Sequence, residues 1–218
     1  MKKGFDETQE KKLVLAVIED IAAESGLNFD ERTRELFQDK ELFEHSKKVA
    51  YYSLCLFNGL QAVYGLSDSD RKYLFLSALL HDVGKLQIPR EVLYKPVEVT
   101  EEEYELLKKH AVFSSEVLSR NDYFCRIVPY VLHHHEHYDG TGYPHGLASN
   151  NIPLFSRIIS VADAFNAMTS HRCYRKSRSP DCAIGEILEN SGTQFDPNIA
   201  EFFINIYKMK GLQIGWIF

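Results

Sequence analysis

The 218-residue chain contains no run of about eighteen apolar residues, so no membrane span is expected from it. Its four cysteines, Cys55, Cys125, Cys173 and Cys182, are widely spaced and form no CxxC pair. That excludes a zinc ribbon and a disulfide framework, and it fits a reducing, cytoplasmic setting. Seven prolines and twelve glycines are too few for a disordered or fibrous chain. No excess of positive charge exists either. The net charge of -6 disfavours nonspecific binding to DNA or RNA polymers, while leaving room for a local basic patch that grips a small phosphorylated ligand. Near the N-terminus the apolar LVLAVI is cut short by Glu19 and Asp20, so a signal peptide is not expected. Alternating strand patterns of useful length and internal repeats are missing as well.

What remains is a composition ordinary for a globular domain, 44% apolar and 26% charged, with apolar residues recurring at helical spacing. The expected class is all-α. Residues 1–40 read as a short helical lead-in, its stripe of Leu13, Val17 and Ile21 suited either to pairing two chains as a homodimer or to packing within one. Residues 41–218 read as the principal domain. In ELFEHSKKVAYYSLCLF the positions Leu42, His45, Val49, Tyr52 and Leu56 share an inward stripe, and Glu41 lies one turn before His45. Residues 70–82 are apolar nearly all round, predicting a buried helix that ends in His81-Asp82 with Gly84 as its stop. Thr100 with Glu103 forms a capping box for a helix expected to carry Tyr104, Leu107, His110, Ser114 and Val117 along one side. Further helices are expected near 123–136, 155–170, 180–191 and 197–209, the last opened by Asp196-Pro197.

Every inward stripe after residue 40 carries a group able to bind metal: His45, His81 with Asp82, His110, His134 with His135, and Asp163. Singly, each has a plain reading as a satisfied core histidine or a buried cap. Together they would impose a desolvation cost of several kcal/mol per unpaired ion. A shared metal cluster removes that cost, and a carboxylate such as Asp82 can bridge two cations. After the histidines, the glycines of the loop DGTGYPHG suit close approach to a ligand.

The strings HDVGKLQIPREVLYKP, HHEHYDGTGYPHGL, IPLFSRIISVADAF, RCYR and GTQFDP, spread over about residues 41–208, resemble the HD-GYP subfamily of the HD superfamily of metal-dependent phosphohydrolases. The resemblance implies a five-helix metal-binding core with additional C-terminal helices. It implies a phosphodiesterase that opens cyclic di-GMP to linear pGpG, GMP or both, through a hydroxide bridging the metals. It implies two or three divalent ions, with Fe or Mn favoured, held by His45, His81, Asp82, His110, His134, His135 and Asp163, with Glu41 as a ligand for a third ion. Lys85 would act beside Asp82 in catalysis, and Tyr143, Arg172, Arg175 and Gly142 would contact the substrate. The sequence departs from the pattern at Asn166, where the family carries a second Asp, and at His137, where a basic residue is usual. His133 is offset from the ligand pair and expected to face outward. Two rival functions remain: an HD phosphohydrolase for another nucleotide, and a cyclic di-GMP-binding or protein-interaction module with little turnover.

Overall fold

A computed structural model describes residues 38–170 and 177–210. Among them the regular structure is helical: α1 (Lys40–Tyr64), α2 (Asp68–Leu80), α3 (Arg90–Leu93), α4 (Glu101–Lys108), α5 (His110–Leu118), α6 (Val128–Leu132), α7 (Leu154–Thr169), α8 (Pro180–Glu189) and α9 (Pro197–Lys210). Short 3-10 turns at Val83–Gln87, Asp122–Phe124 and Ser149–Asn151 join them. The described residues contain no strand, only an isolated bridge between Ser191 and Phe195. None of their helices is long and apolar enough to cross a membrane.

The long α1 is the spine. It packs against α2, α7 and α9, while α5 lies on the Val83–Gln87 turn and on α6. Its inward face buries Leu42, Val49, Tyr52, Leu56, Phe57 and Leu60. Phe165 of α7, fully buried, meets Tyr52 of α1 and Phe203 of α9 edge to face, at centroid distances of 5.2 and 5.0 Å. Such a residue anchors three helices at once, and truncating it to alanine costs about 3–5 kcal/mol.

Local chemistry explains where several helices begin. Ser67 and Asp70 close a reciprocal capping box at α2, and Thr100 and Glu103 close the expected one at α4. Asp196 accepts from the backbone N–H of Asn198 and Ile199 at the start of α9, with Pro197 in the first turn, as expected. The Asp196 carboxylate is also paired with Arg157 of α7 at 2.6 Å, which locks α9 to the helix that carries Asp163.

Three expected boundaries need correction. The helix expected over 70–82 stops at Leu80, and Asp82 opens a 3-10 turn. The single helix expected through Tyr104 and His110 is two helices broken at Lys109, and Tyr104 is exposed. The helix expected near 123–136 is reduced to Val128–Leu132, preceded by a 3-10 turn. Gly84 is not a left-handed helix stop; it lies inside the 3-10 turn. Its missing side chain is needed for packing, since a Cβ there would sit 2.3 Å from both the His110 carbonyl oxygen and the Ser114 amide of α5.

Candidate metal centre

Each of the three shortened helices ends one or two residues before a histidine whose ring bonds back to it, at His81, His110 and His134. His81 Nδ1 donates to the Ala78 carbonyl at 2.8 Å, His110 Nδ1 to Leu107 at 2.7 Å, and His134 Nδ1 to Val131 at 2.6 Å. Each ring thus takes a carbonyl three residues back, competing with the helical ladder near its end. The bond also fixes the tautomer. With the proton held on Nδ1, the lone pair is on Nε2, the atom left to bind an ion.

Those Nε2 atoms converge around Asp82, which is fully buried. Asp82 Oδ2 is 3.3 Å from His81 Nε2, 3.3 Å from His45 Nε2 and 2.5 Å from Lys85 Nζ. Its other oxygen, Oδ1, is 3.3 Å from His110 Nε2. His110 Nε2 lies in turn 3.3 Å from His134 Nε2 and 3.1 Å from His135 Nε2. On the opposite side His45 Nε2 is 3.1 Å from Asp163 Oδ1. Ligand atoms therefore gather into overlapping sets, His45 with His81 and Asp163, and His110 with His134 and His135, while His81, Asp82 and His134 form a third. Asp82 stands between the two outer sets, one oxygen toward each.

Three of the buried atoms, His45 Nε2, His81 Nε2 and Asp82 Oδ1, have no hydrogen-bond partner among the described residues despite these short approaches. Orphaned polar atoms in a dry interior are costly. Lone-pair donors packed this closely fit divalent cations, and the mixed imidazole and carboxylate set suits first-row metals better than a thiolate-selected ion.

Charge follows the same pattern. Burial pushes His110 down to about 4 and His135 to about 3, and it holds His134 well below the ordinary imidazole value, with neighbouring imidazoles adding to the effect at the last two. These rings are neutral near pH 7, as ligands must be. Burial alone would raise Asp82 and Asp163, but His81 and Lys85 beside Asp82, and His45 beside Asp163, hold both carboxyls well below the usual range. His81 moves the other way: burial opposes its charged form, yet the adjoining Asp82 raises it.

Of the residues singled out in the sequence, His45, His81, Asp82, His110, His134, His135 and Asp163 are brought together, with Lys85 at their edge. Glu41 is not. It is exposed, joins none of the clusters, and lines a neighbouring cleft of about 680 Å³ with Asp39, Lys85, Arg90 and Tyr94. Tyr143 lies beside the centre, stacked on His135 at 4.9 Å between centroids. Gly142 owes its lack of a side chain to the chain itself, since a Cβ would meet His137 N at 2.2 Å and His135 O at 2.5 Å. Arg172 and Arg175 lie outside the described residues.

Two residues without an assigned role prove structurally central. Glu136, 2% exposed, accepts from the backbone N–H of His145 at 2.8 Å and of Leu147 at 3.0 Å, bracing the glycine-rich loop against the histidine turn. Its place in the HHE string was the only signal. Asn166, buried in α7, puts its amide 2.6 Å from His45 Nδ1 and accepts from Ser170 Oγ at 2.9 Å.

An all-α scaffold that brings histidines and aspartates from helix interiors and helix ends to one largely buried point defines a candidate metal-centre domain. The chain belongs to the HD domain family, whose model matches residues 16–199, and its HDVGK and HHEHYDGTGYP strings are of the HD-GYP type. It is 34% identical over 174 residues to a cyclic di-GMP phosphodiesterase of Thermotoga maritima, covering 79% of this chain and 46% of that protein. It is 42% identical over 137 residues to 3'3'-cGAMP-specific phosphodiesterase 1 of Vibrio cholerae, covering 63% of this chain and 31% of that one. The chain thus spans less than half the length of these relatives. Among solved structures, Bd1817, an HDG"Y"P protein from Bdellovibrio bacteriovorus, shares the fold with a TM-score of 0.62 at 18% identity, over 91% of this chain and 60% of that one.

Proposed function

We propose that the chain is a metal-dependent phosphodiesterase that hydrolyses cyclic di-GMP to pGpG, GMP or both. The observation that carries this reading is Asp82, a buried carboxylate with one oxygen toward each of two ligand sets. Bound there, divalent ions would supply positive charge for the phosphoryl oxygens and lower the pKa of a water molecule. The seven residues His45, His81, Asp82, His110, His134, His135 and Asp163 are assigned as ligands for two ions, Fe or Mn, and Glu41, which lines the adjoining cleft, as a ligand for a third.

The chain's own groups then have separable tasks. Lys85 holds a point charge at the Asp82 edge, where negative charge grows on a phosphate in the transition state. Tyr143 offers an aromatic surface to a base, and Arg172 with Arg175 offers paired guanidiniums to phosphate oxygens. The cleft beside Lys85 has a volume ordinary for a small-molecule site. A nucleotide substrate goes with a cytoplasmic location.

A second reading rests on a specific finding: relatives specific for 3'3'-cGAMP are as similar to this chain as those acting on cyclic di-GMP. Protein purified anaerobically and supplied with Mn or Fe(II), assayed on both cyclic dinucleotides, decides between them. Faster turnover of cyclic di-GMP supports the first reading, and a preference for the mixed dinucleotide supports the second. Binding without product under either metal would replace both with a binding module. For the third ion, Glu41→Ala is expected to lower the metal count while leaving the fold intact, and an unchanged count removes Glu41 from the site.

A further inference from the structure

Outside the central cluster, one other group of side chains among the described residues brings three ligand atoms within 4.8 Å of one another: His133, Glu136 and His145. His133 Nδ1 donates to the Pro129 carbonyl at 2.8 Å, the same device that frees Nε2 in the central histidines. The freed Nε2 lies 3.1 Å from His145 Nδ1. In a tetrahedral site with metal–nitrogen bonds of about 2.0–2.1 Å, neighbouring ligand atoms stand about 3.3 Å apart. The Glu136 carboxylate completes the set. Each of its oxygens accepts one backbone N–H, leaving a further lone pair on each.

We propose that His133, Glu136 and His145 form a second transition-metal site, for an ion of the zinc or nickel class, separate from the catalytic cluster. The ligands are positioned before the ion arrives, because the His145 backbone is already tied to Glu136 and the His133 ring to Pro129. Without the ion the two rings share a hydrogen bond. Binding requires only that His145 carry its proton on Nε2 instead of Nδ1, with no net proton lost. His145 is exposed, which leaves the remaining coordination position to water. An ion there would join the turn that carries His134 and His135 to the loop that carries Tyr143, making that loop more rigid.

The test is zinc titration of the metal-stripped protein, counted by native mass spectrometry, with His133→Gln and His145→Gln compared with wild type. Each variant is expected to bind one zinc fewer than wild type. Asp163→Ala, which alters the central cluster, is expected to keep the equivalent that His145→Gln loses. Zinc should also slow amide exchange across 143–147 in wild type and not in His145→Gln, a readout independent of hydrolysis. Equal zinc counts and equal affinities in wild type and both variants would overturn the site, reducing the pair to a hydrogen bond between imidazoles.

Discussion

Asn166 touches a proposed metal ligand, His45, through an atom whose type matters. Where the HD-GYP pattern has a carboxylate, this chain presents an amide to His45 Nδ1. With the amide NH₂ facing the ring, the His45 proton belongs on Nε2, which blocks that atom as a ligand. A half-turn of the amide lets its oxygen accept from Nδ1–H and frees Nε2, and the Ser170 hydroxyl can serve either orientation. Even then a neutral amide raises ligand basicity less than a carboxylate would. Asn166→Asp is therefore expected to tighten metal binding by about 10-fold or more, read by calorimetric titration of the stripped protein with Mn. Equal or weaker affinity would detach Asn166 from the tuning of His45.

The helices illustrate which structural features sequence reveals and which it hides. Starts set by local side chains were legible: Thr100 with Glu103 and Asp196 with Pro197 cap the helices they were expected to cap. The all-α class and the gathering of His45, His81, Asp82, His110, His134, His135 and Asp163 were legible too, because apolar spacing marks the inward stripes that carry them and the motif strings single out the same residues. The ends at Leu80, Lys108 and Leu132 were hidden. Apolar residues continue past Leu80 and Lys108, and the polar HHHE after Leu132 carries no Gly or Pro to stop a helix, so the sequence predicts helix at all three, while the histidine rings withdraw carbonyls that the pattern does not register. The role of Gly84 is hidden for a related reason, since its constraint is the distant backbone of α5. Gly84→Ala is expected to destabilise by about 1–3 kcal/mol or more, measured by urea unfolding, because the obstructing atoms are backbone and cannot rotate away. An unchanged midpoint would mean that α5 can retreat at no cost.

For the molecule as a whole, the centre couples ligand binding to the fold, since its donors come from α1, α7, the start of α5 and the turns after α2 and α6. Ions that bind only the folded state add about 2.7 kcal/mol at a hundredfold excess over Kd. Chelation should accordingly lower Tm by about 5–10 °C for a domain of this size, checked by calorimetry with and without EDTA. A Tm indifferent to chelator would show that the buried donors bind no ion tightly.

The most direct measurement compares wild type with Asp82→Ala, both purified anaerobically, for metal ions per chain and for hydrolysis of cyclic di-GMP. With Asp82 facing both ligand sets, wild type should hold at least two ions and turn over. The variant should lose at least one ion and about a hundredfold or more in rate. Full turnover with an undiminished metal count in Asp82→Ala would contradict the assignment of this buried carboxylate as the bridge of a hydrolytic metal centre.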